Sequence, residues 1–184
     1  MIFKKIIKEL AFTVILAFLL SFFLQLFIIE ARIIPTGSML PTIQLNQRIL
    51  VNKIIYKYSE PARGDIIVFS PPFETEDNKD YIKRVIGKEG DTIEVKKGVV
   101  FINNEPLDED YLLEKPKYNF GPIIVPDNSL FVLGDNRNES FDSHAWTQWL
   151  TLDKVKGKAF FTYWPFTRLG LFNSEVTRAH INNK

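Results

Sequence analysis

Residues 10–29, LAFTVILAFLLSFFLQLFII, carry no charge, and only Thr13, Ser21 and Gln25 among them are appreciably polar. No other feature of the 184-residue chain restricts its architecture so sharply. At about 1.5 Å per residue such a run makes a helix about 30 Å long, the thickness of the hydrocarbon core of a bilayer. A cleaved secretory leader has a shorter apolar region, about 7–15 residues, followed by a small-x-small site. Here the run passes into Glu30-Ala31-Arg32-Ile33-Ile34 with no such site, so a retained transmembrane anchor is expected. Lys4, Lys5 and Lys8 precede the run and only Arg32 follows closely. The positive-inside bias then keeps residues 1–9 in the cytoplasm and sends residues 30–184 across the membrane.

The exported part is long enough for one ordinary domain with room for a small second lobe. With 23 basic and 22 acidic side chains, a net charge of +1 creates no field that would recommend nucleic acid as a partner. The chain has no cysteine, which excludes a disulfide scaffold, a thiolate zinc site and a cysteine nucleophile. Its two histidines, His144 and His180, are too far apart and too sparsely companioned for a His-based metal centre.

Past residue 30, apolar residues come in short runs and alternations bounded by Gly, Pro, Asn and Asp. Strands are expected at 32–35, 48–54, 65–69, 81–87, 92–95, 99–103, 130–133 and 157–164. Lys96-Lys97-Gly98 reads as a hairpin loop, and Gly87 and Gly90-Asp91 as turn residues. Residues 104–129 carry few strand signals and the acidic cluster Asp108-Glu109-Asp110. They are expected to be an excursion or small lobe inserted in the main sheet, with the carboxylates in a solvated loop because no EF-hand-like spacing accompanies them. Arg63-Gly64-Asp65 reads as a turn entering a strand rather than an adhesion tripeptide, and the sequon Asn138-Glu139-Ser140 is too short to carry weight.

Pro35-Thr36-Gly37-Ser38-Met39-Leu40-Pro41-Thr42 brackets a serine between two prolines, with Gly37 leaving room beside it for another chain. A serine hydroxyl needs a base. His180 lies close to a polar C-terminus where fraying is expected, and His144 has Asp142 only two residues away, so a Ser–His triad stays open without being favoured. Lys83 is the other candidate. It sits in the apolar alternation Tyr81-Ile82-Lys83-Arg84-Val85-Ile86, sharing a face with Tyr81 and Val85. Among apolar side chains the charged amine is disfavoured, and lowering its pKa from about 10.4 towards 8 costs roughly 3 kcal/mol. The alternative for a strand lysine is a solvated charge that protects an edge.

Ser38-Met39-x-Pro41-Thr42, Gly64-Asp65-Ile66-Ile67-Val68-Phe69, Tyr81-Ile82-Lys83-Arg84-Val85-Ile86-Gly87 and Gly134-Asp135-Asn136-Arg137-x-x-Ser140-x-Asp142-Ser143 follow one N-terminal span in this order. Together they resemble the type I signal peptidases of bacteria and organelles, serine–lysine endopeptidases that remove secretory signal peptides. The resemblance runs from the anchor to about Trp164. It implies a mainly β fold: an antiparallel coiled-sheet catalytic domain with a small inserted lobe, preceded by one transmembrane helix. It implies Ser38 as nucleophile, Lys83 as general base, and the Ser38 N–H with the Thr36 hydroxyl as oxyanion hole. Ser140 would orient the Lys83 amine and Asp142 would brace that loop. Ile33, Pro35, Met39, Tyr81 and Ile82 would form the substrate cleft, and Arg84 would serve in a structural ion pair. Small residues are implied at P1 and P3, with no metal and no cofactor.

The implied partners are preproteins bearing signal peptides and membrane lipids, with the secretion translocase as a further candidate, and no nucleic acid. His144 stands where many members have Arg, a trait shared with cyanobacterial and plastid members. The implied location is therefore a bacterial plasma membrane or, alternatively, the thylakoid membrane of a cyanobacterium or plastid. A self-cleaving serine–lysine repressor and an anchored β module without activity are the rival readings. The membrane span opposes the first, and intact Ser38, Lys83 and Ser140 oppose the second.

Eight residues separate Ile29 from Ser38, a reach of at most about 30 Å, so the serine is expected close to the membrane surface. Trp146, Trp149 and Leu150, with Trp164, Phe166, Leu171 and Phe172 downstream, either supply a surface that dips into the lipid interface or fill the core.

Overall fold

The computed structural model describes residues 2–75 and 79–172. Helix α1 (Ile2–Phe27) takes in the N-terminal lysines together with most of the apolar run. Its apolar window has a mean hydropathy of 2.5 and no buried surface, and it is long and apolar enough to cross a membrane. Such a helix satisfies its own backbone polar groups and leaves every side chain for lipid. The helix stops before the run does, because Ile29 already belongs to strand β1 (Ile29–Ile33). What ends it is a partner: Ile29 pairs with Asn52 and Ile33 with Arg48 of β2 (Arg48–Asn52). A tertiary ladder overrides local preference, so the strand begins three residues before the expected 32–35. Lys53 closes the junction, its Nζ donating to the Leu26 carbonyl at 2.7 Å, a cation at a helix C-terminus.

The remaining strands are β3 (Ile66–Phe69), β4 (Tyr81–Lys88), β5 (Thr92–Lys96), β6 (Val99–Ile102), β7 (Glu105–Pro106), β8 (Phe120–Ile124), β9 (Ser129–Leu133), β10 (Leu150–Thr151), β11 (Val155–Trp164) and β12 (Gly170–Leu171). Among the described residues they form two antiparallel sheets. An eight-stranded sheet runs β1-β2-β11-β3-β4-β9-β10, with β12 on β11, and a four-stranded one runs β7-β6-β5-β8. The fold is mainly β, as the sequence led us to expect. β3 and β9 are buried at every position, which is why they read as continuous apolar runs rather than alternations.

β4 is the strand that places the chemistry. Its register sets Ile67 opposite Lys83, Val68 opposite Ile82 and Phe69 opposite Tyr81. Period 2 sends Ile82 into a core with Ile34, Met39, Ile66 and Val68. The other face carries Tyr81 and Val85 against Ile67, Phe69, Val132 and Leu150. A bulge between Val85 and Gly87 then hands Ile86 to a third cluster with Ile93 and Phe131. Gly87 is required there by close approach, since a Cβ would strike Ile93 and Phe131.

The hairpin between β5 and β6 turns on Lys97 and Gly98, both at positive φ, the conformation of a type I′ turn. β8 was not expected. Gly121 at φ +79° and Pro122 interrupt its pattern, and the strand is tolerated because it lies at an edge, paired only with β5 among the described residues. One open alternative is narrowed and one expectation is corrected. Leu150 is fully buried in the core with Phe69 and Val132, and Trp146 and Trp149, half-buried, pack against core clusters, which favours the core over the lipid interface for this stretch. In the acidic cluster, Asp108 and Asp110 face solvent, but the Glu109 side chain is 5% exposed and held by Arg137. A buried guanidinium demands that carboxylate.

Candidate active site

The loop after β1 carries Pro35 to Thr42. Ile34 N–H donates to the Gln47 carbonyl at 3.0 Å and Asn46 N–H to the Ile34 carbonyl at 2.7 Å, so the entry to the loop is pinned. Ser38 is 7% exposed. Its carbonyl accepts from Asn136 N–H at 3.0 Å, and the Gly37 carbonyl from Asn136 Nδ2 at 3.1 Å. The segment after β9 thus grips the backbone on both sides of the Gly37–Ser38 peptide.

Lys83 lies in mid-β4 and is 4% exposed. Its Nζ lies 2.8 Å from Ser38 Oγ and 5.6 Å from the centroid of the Tyr81 ring. Burial lowers its pKa from 10.5 to about 8, against the pull of the Asp142 and Asp135 carboxylates, which favour the charged form. An amine with that value is neutral in a far larger fraction near pH 7–8 than an ordinary lysine, and at this distance its neutral form can accept the hydroxyl proton.

Around the pair, Asp142 is wholly buried and accepts from Gly134 N–H at 2.9 Å and shares a 2.7 Å contact with His144 Nδ1. His144 therefore occupies the carboxylate from its own side of the loop. Its ring stacks on Tyr118 at 4.1 Å, which holds it there. His180, the other histidine, lies outside the described residues. Ser140 Oγ is buried without a hydrogen-bond partner among the described residues. Gly134 lies directly against it: a Cβ there would collide with Ser140 Oγ and with the Ser38 carbonyl. Arg84, on the opposite face of β4, is gripped by Asp135 at 2.8 and 2.6 Å and donates to the Gly64 carbonyl at 3.0 Å. It is an ion-paired structural residue.

Ser38 and Lys83 open into a cleft of about 640 Å³, whose walls include Pro35, Thr36, Tyr81 and Ile82. A second hollow of about 400 Å³ continues past Ile33 and Pro35 towards Arg32 and Asp80. The structure thus brings Thr36, Ser38, Lys83, Pro35, Tyr81, Ile82 and Ile33 to one groove. Met39 differs: it is fully buried beside Ile34 and Ile82 and supports the wall from behind instead of lining it. Leu45, Asn136, Glu139 and Phe141 also line the cleft and were not foreseen. Asn136 and Glu139 lie inside the Gly134–Ser143 motif, whereas Leu45 carries no signal in the sequence. The turn reading of Arg63-Gly64-Asp65 holds: Asp65 is 3% exposed and accepts from Lys158 Nζ at 2.6 Å.

A family model described as "Signal peptidase, peptidase S26" matches residues 7–164. A signal peptidase I of Leptolyngbya laminosa is 45% identical over 86% of this chain and 80% of its own. Signal peptidase I S of Bacillus subtilis (strain 168) is 34% identical over 90% of this chain and 94% of its own. Thylakoidal processing peptidase 1 of Arabidopsis thaliana is 40% identical over 74% of this chain, which spans 42% of that longer protein. This chain belongs to the signal peptidase family, peptidase S26.

Proposed function

We propose that the protein is a membrane-anchored endopeptidase that removes N-terminal signal peptides from exported preproteins through an acyl-enzyme on Ser38, with Lys83 as general base. The observation that carries the reading is the 2.8 Å contact between Lys83 Nζ and Ser38 Oγ, with the amine pKa lowered to about 8. Neutral Lys83 takes the hydroxyl proton as Ser38 attacks the scissile carbonyl. The oxyanion is met by the Ser38 N–H and the Thr36 hydroxyl, and the amine leaves with the proton from Lys83. Lys83 then activates water to release the acyl group. Asp142 braces the loop after β9 and its charge acts on the amine, whereas Ser140 Oγ, expected to orient that amine, has no hydrogen-bond partner among the described residues. No metal or cofactor is needed.

The substrate adds as an extended strand. Among the described residues β1 pairs only with β2, and residues 81–83 of β4 only with β3, pairing with β9 starting at Arg84. Two unpaired edges thus face the cleft, and small P1 and P3 side chains enter its shallow apolar hollows. Residues 1–9 lie in the cytoplasm and residues 30–184 on the exported side, of a bacterial plasma membrane or a thylakoid membrane. Lipids and the secretion translocase are the remaining partners, with lipid contact assigned to the apolar end of β11.

Cleavage of a preprotein by detergent-solubilised protein tests the mechanism. Ser38→Ala and Lys83→Ala are expected to be inactive, and His144→Ala to be slowed without being abolished. Cleavage that survives in Lys83→Ala and disappears in His144→Ala would overturn the choice of base.

A further inference from the structure

The excursion between β6 and β8 holds the loop after β9 at successive points. Arg137 is wholly buried, and its Nη1 donates to Glu109 Oε2 at 2.8 Å and its Nη2 to Glu109 Oε1. The same guanidinium donates from Nε to the Gly134 carbonyl at 3.1 Å. Tyr111 donates to the Glu109 carboxylate at 2.6 Å and lays its ring 4.0 Å from the guanidinium carbon of Arg84. One residue on, Asn138 accepts from Lys117 N–H at 2.8 Å and donates to the Lys115 carbonyl at 3.1 Å and to Glu114 at 3.2 Å. Finally the Tyr118 ring stacks on His144, the partner of Asp142.

None of Glu109, Tyr111 or Tyr118 lines the substrate cleft. The loop they hold does the opposite: Asn136 ties down the Gly37 and Ser38 carbonyls, and Asp142 is one of two carboxylates that act on the Lys83 charge. Resting on the reading of Ser38 and Lys83 as nucleophile and base, we propose that the excursion is a positioning element. Glu109, through Arg137, and residues 114–118, through Asn138 and His144, hold the loop so that Ser38 and Lys83 keep their reacting distance. A connected set of buried polar contacts rigidifies what it joins, and reacting groups tolerate little displacement. The second sheet then anchors the catalytic loop from behind, and the buried position of Glu109 in an otherwise solvated acidic cluster has a function.

The test uses the full chain in detergent, cleaving a preprotein, with Ser38→Ala and Lys83→Ala as controls. Glu109→Gln keeps the shape of the side chain and removes its charge. It is expected to lower kcat roughly tenfold while KM stays within about twofold, because the cleft walls are untouched. It is also expected to move the acid limb of the kcat profile to higher pH, as water reaches the Lys83 amine. A folded Glu109→Gln with wild-type kcat and an unmoved limb overturns the proposal. So does a fall in kcat that only follows the folded fraction, with the limb in place. Should Glu109→Gln fail to fold, Asn138→Ala decides by the same two readouts, since it removes hydrogen bonds at a half-buried position and leaves no buried charge unpaired. Cleavage that persists in Ser38→Ala or Lys83→Ala overturns the mechanism beneath the proposal, and is distinguished by those controls.

Discussion

An amine that must be uncharged to work is costly to bury, and Lys83 bears that cost. Its folded pKa of about 8 lies below the ordinary 10.5, so between these values the unfolded chain binds more protons than the native one. Stability therefore rises with pH across that window, and below about pH 8 the whole penalty applies, about 3 kcal/mol for a shift of this size. Lys83→Met keeps the stem and deletes the amine. It is expected to melt several degrees above wild type at pH 7 and to lose this advantage at pH 11, while being inactive. A variant that melts no higher than wild type at pH 7 would show that the amine is not strained by burial. The same value predicts that kcat/KM climbs with pH and levels off above about 8; a limb near pH 6 would assign the titrating base to a histidine. Gly134 makes the companion case in backbone. Gly134→Ala drives a methyl group into the Ser38 carbonyl and Ser140 Oγ, and is expected to cut kcat at least roughly a hundredfold, as a displacement of about 1 Å does. Wild-type turnover in that variant would mean that the loop moves freely.

At the scale of elements, β4 was legible because its alternation is strict: Tyr81 and Val85 on one face, Ile82 and Arg84 on the other, and a lone amine at Lys83. β3 and β9 were legible as short apolar runs between turn residues. The helix-to-strand switch at Phe27–Ile29 was not, because the chain there is apolar throughout and only the ladder with β2 decides. β8 was hidden by Gly121 and Pro122, which an edge strand tolerates. In the site, local sequence made Ser38 and Lys83 candidates and the four ordered motifs singled them out, whereas Leu45 and the inward Glu109 depend on which loop packs on which. Residues 146–150 stayed open for the same reason, since three large apolar side chains look alike whether they meet lipid or core. Leu150 discriminates: it is wholly buried beside Phe69 and Val132. Leu150→Ala is expected to destabilise the protein by about 2–5 kcal/mol and to leave vesicle association of the intact protein unchanged. Weakened association with unaltered unfolding would return this stretch to the membrane surface.

Across the whole molecule, the candidate membrane span runs into the candidate active site with almost no linker. α1 ends at Phe27, and β1, which begins at Ile29, carries one wall of the cleft. A second apolar surface lies elsewhere: Trp164, Phe166, Leu169 and Leu171 are 44%, 74%, 57% and 76% exposed around the end of β11. Register locates it. Trp164 pairs with Arg48, and Arg48 with Ile33, so this surface sits at the far end of β1 from the anchor, about 13 Å along the strand at some 3.3 Å per residue. For one bilayer to receive both, β1 and the cleft beside it must lie along the membrane surface instead of standing upright on it. That posture would hold a scissile bond level with the end of the substrate's own apolar segment, and pre-placing both partners raises their effective concentration. Vesicles whose acyl chains carry bromine test it, because bromine quenches only the indoles that reach it. In the reconstituted full chain, quenching is expected in the wild type and largely lost in Trp164→Phe, since Trp146 and Trp149 pack against the core. Equal quenching in the two proteins would mean that Trp164 stays in water and the sheet rises away from the bilayer. The cleft would then open some 13 Å or more above the surface, and a signal peptide would have to leave the membrane to be cut.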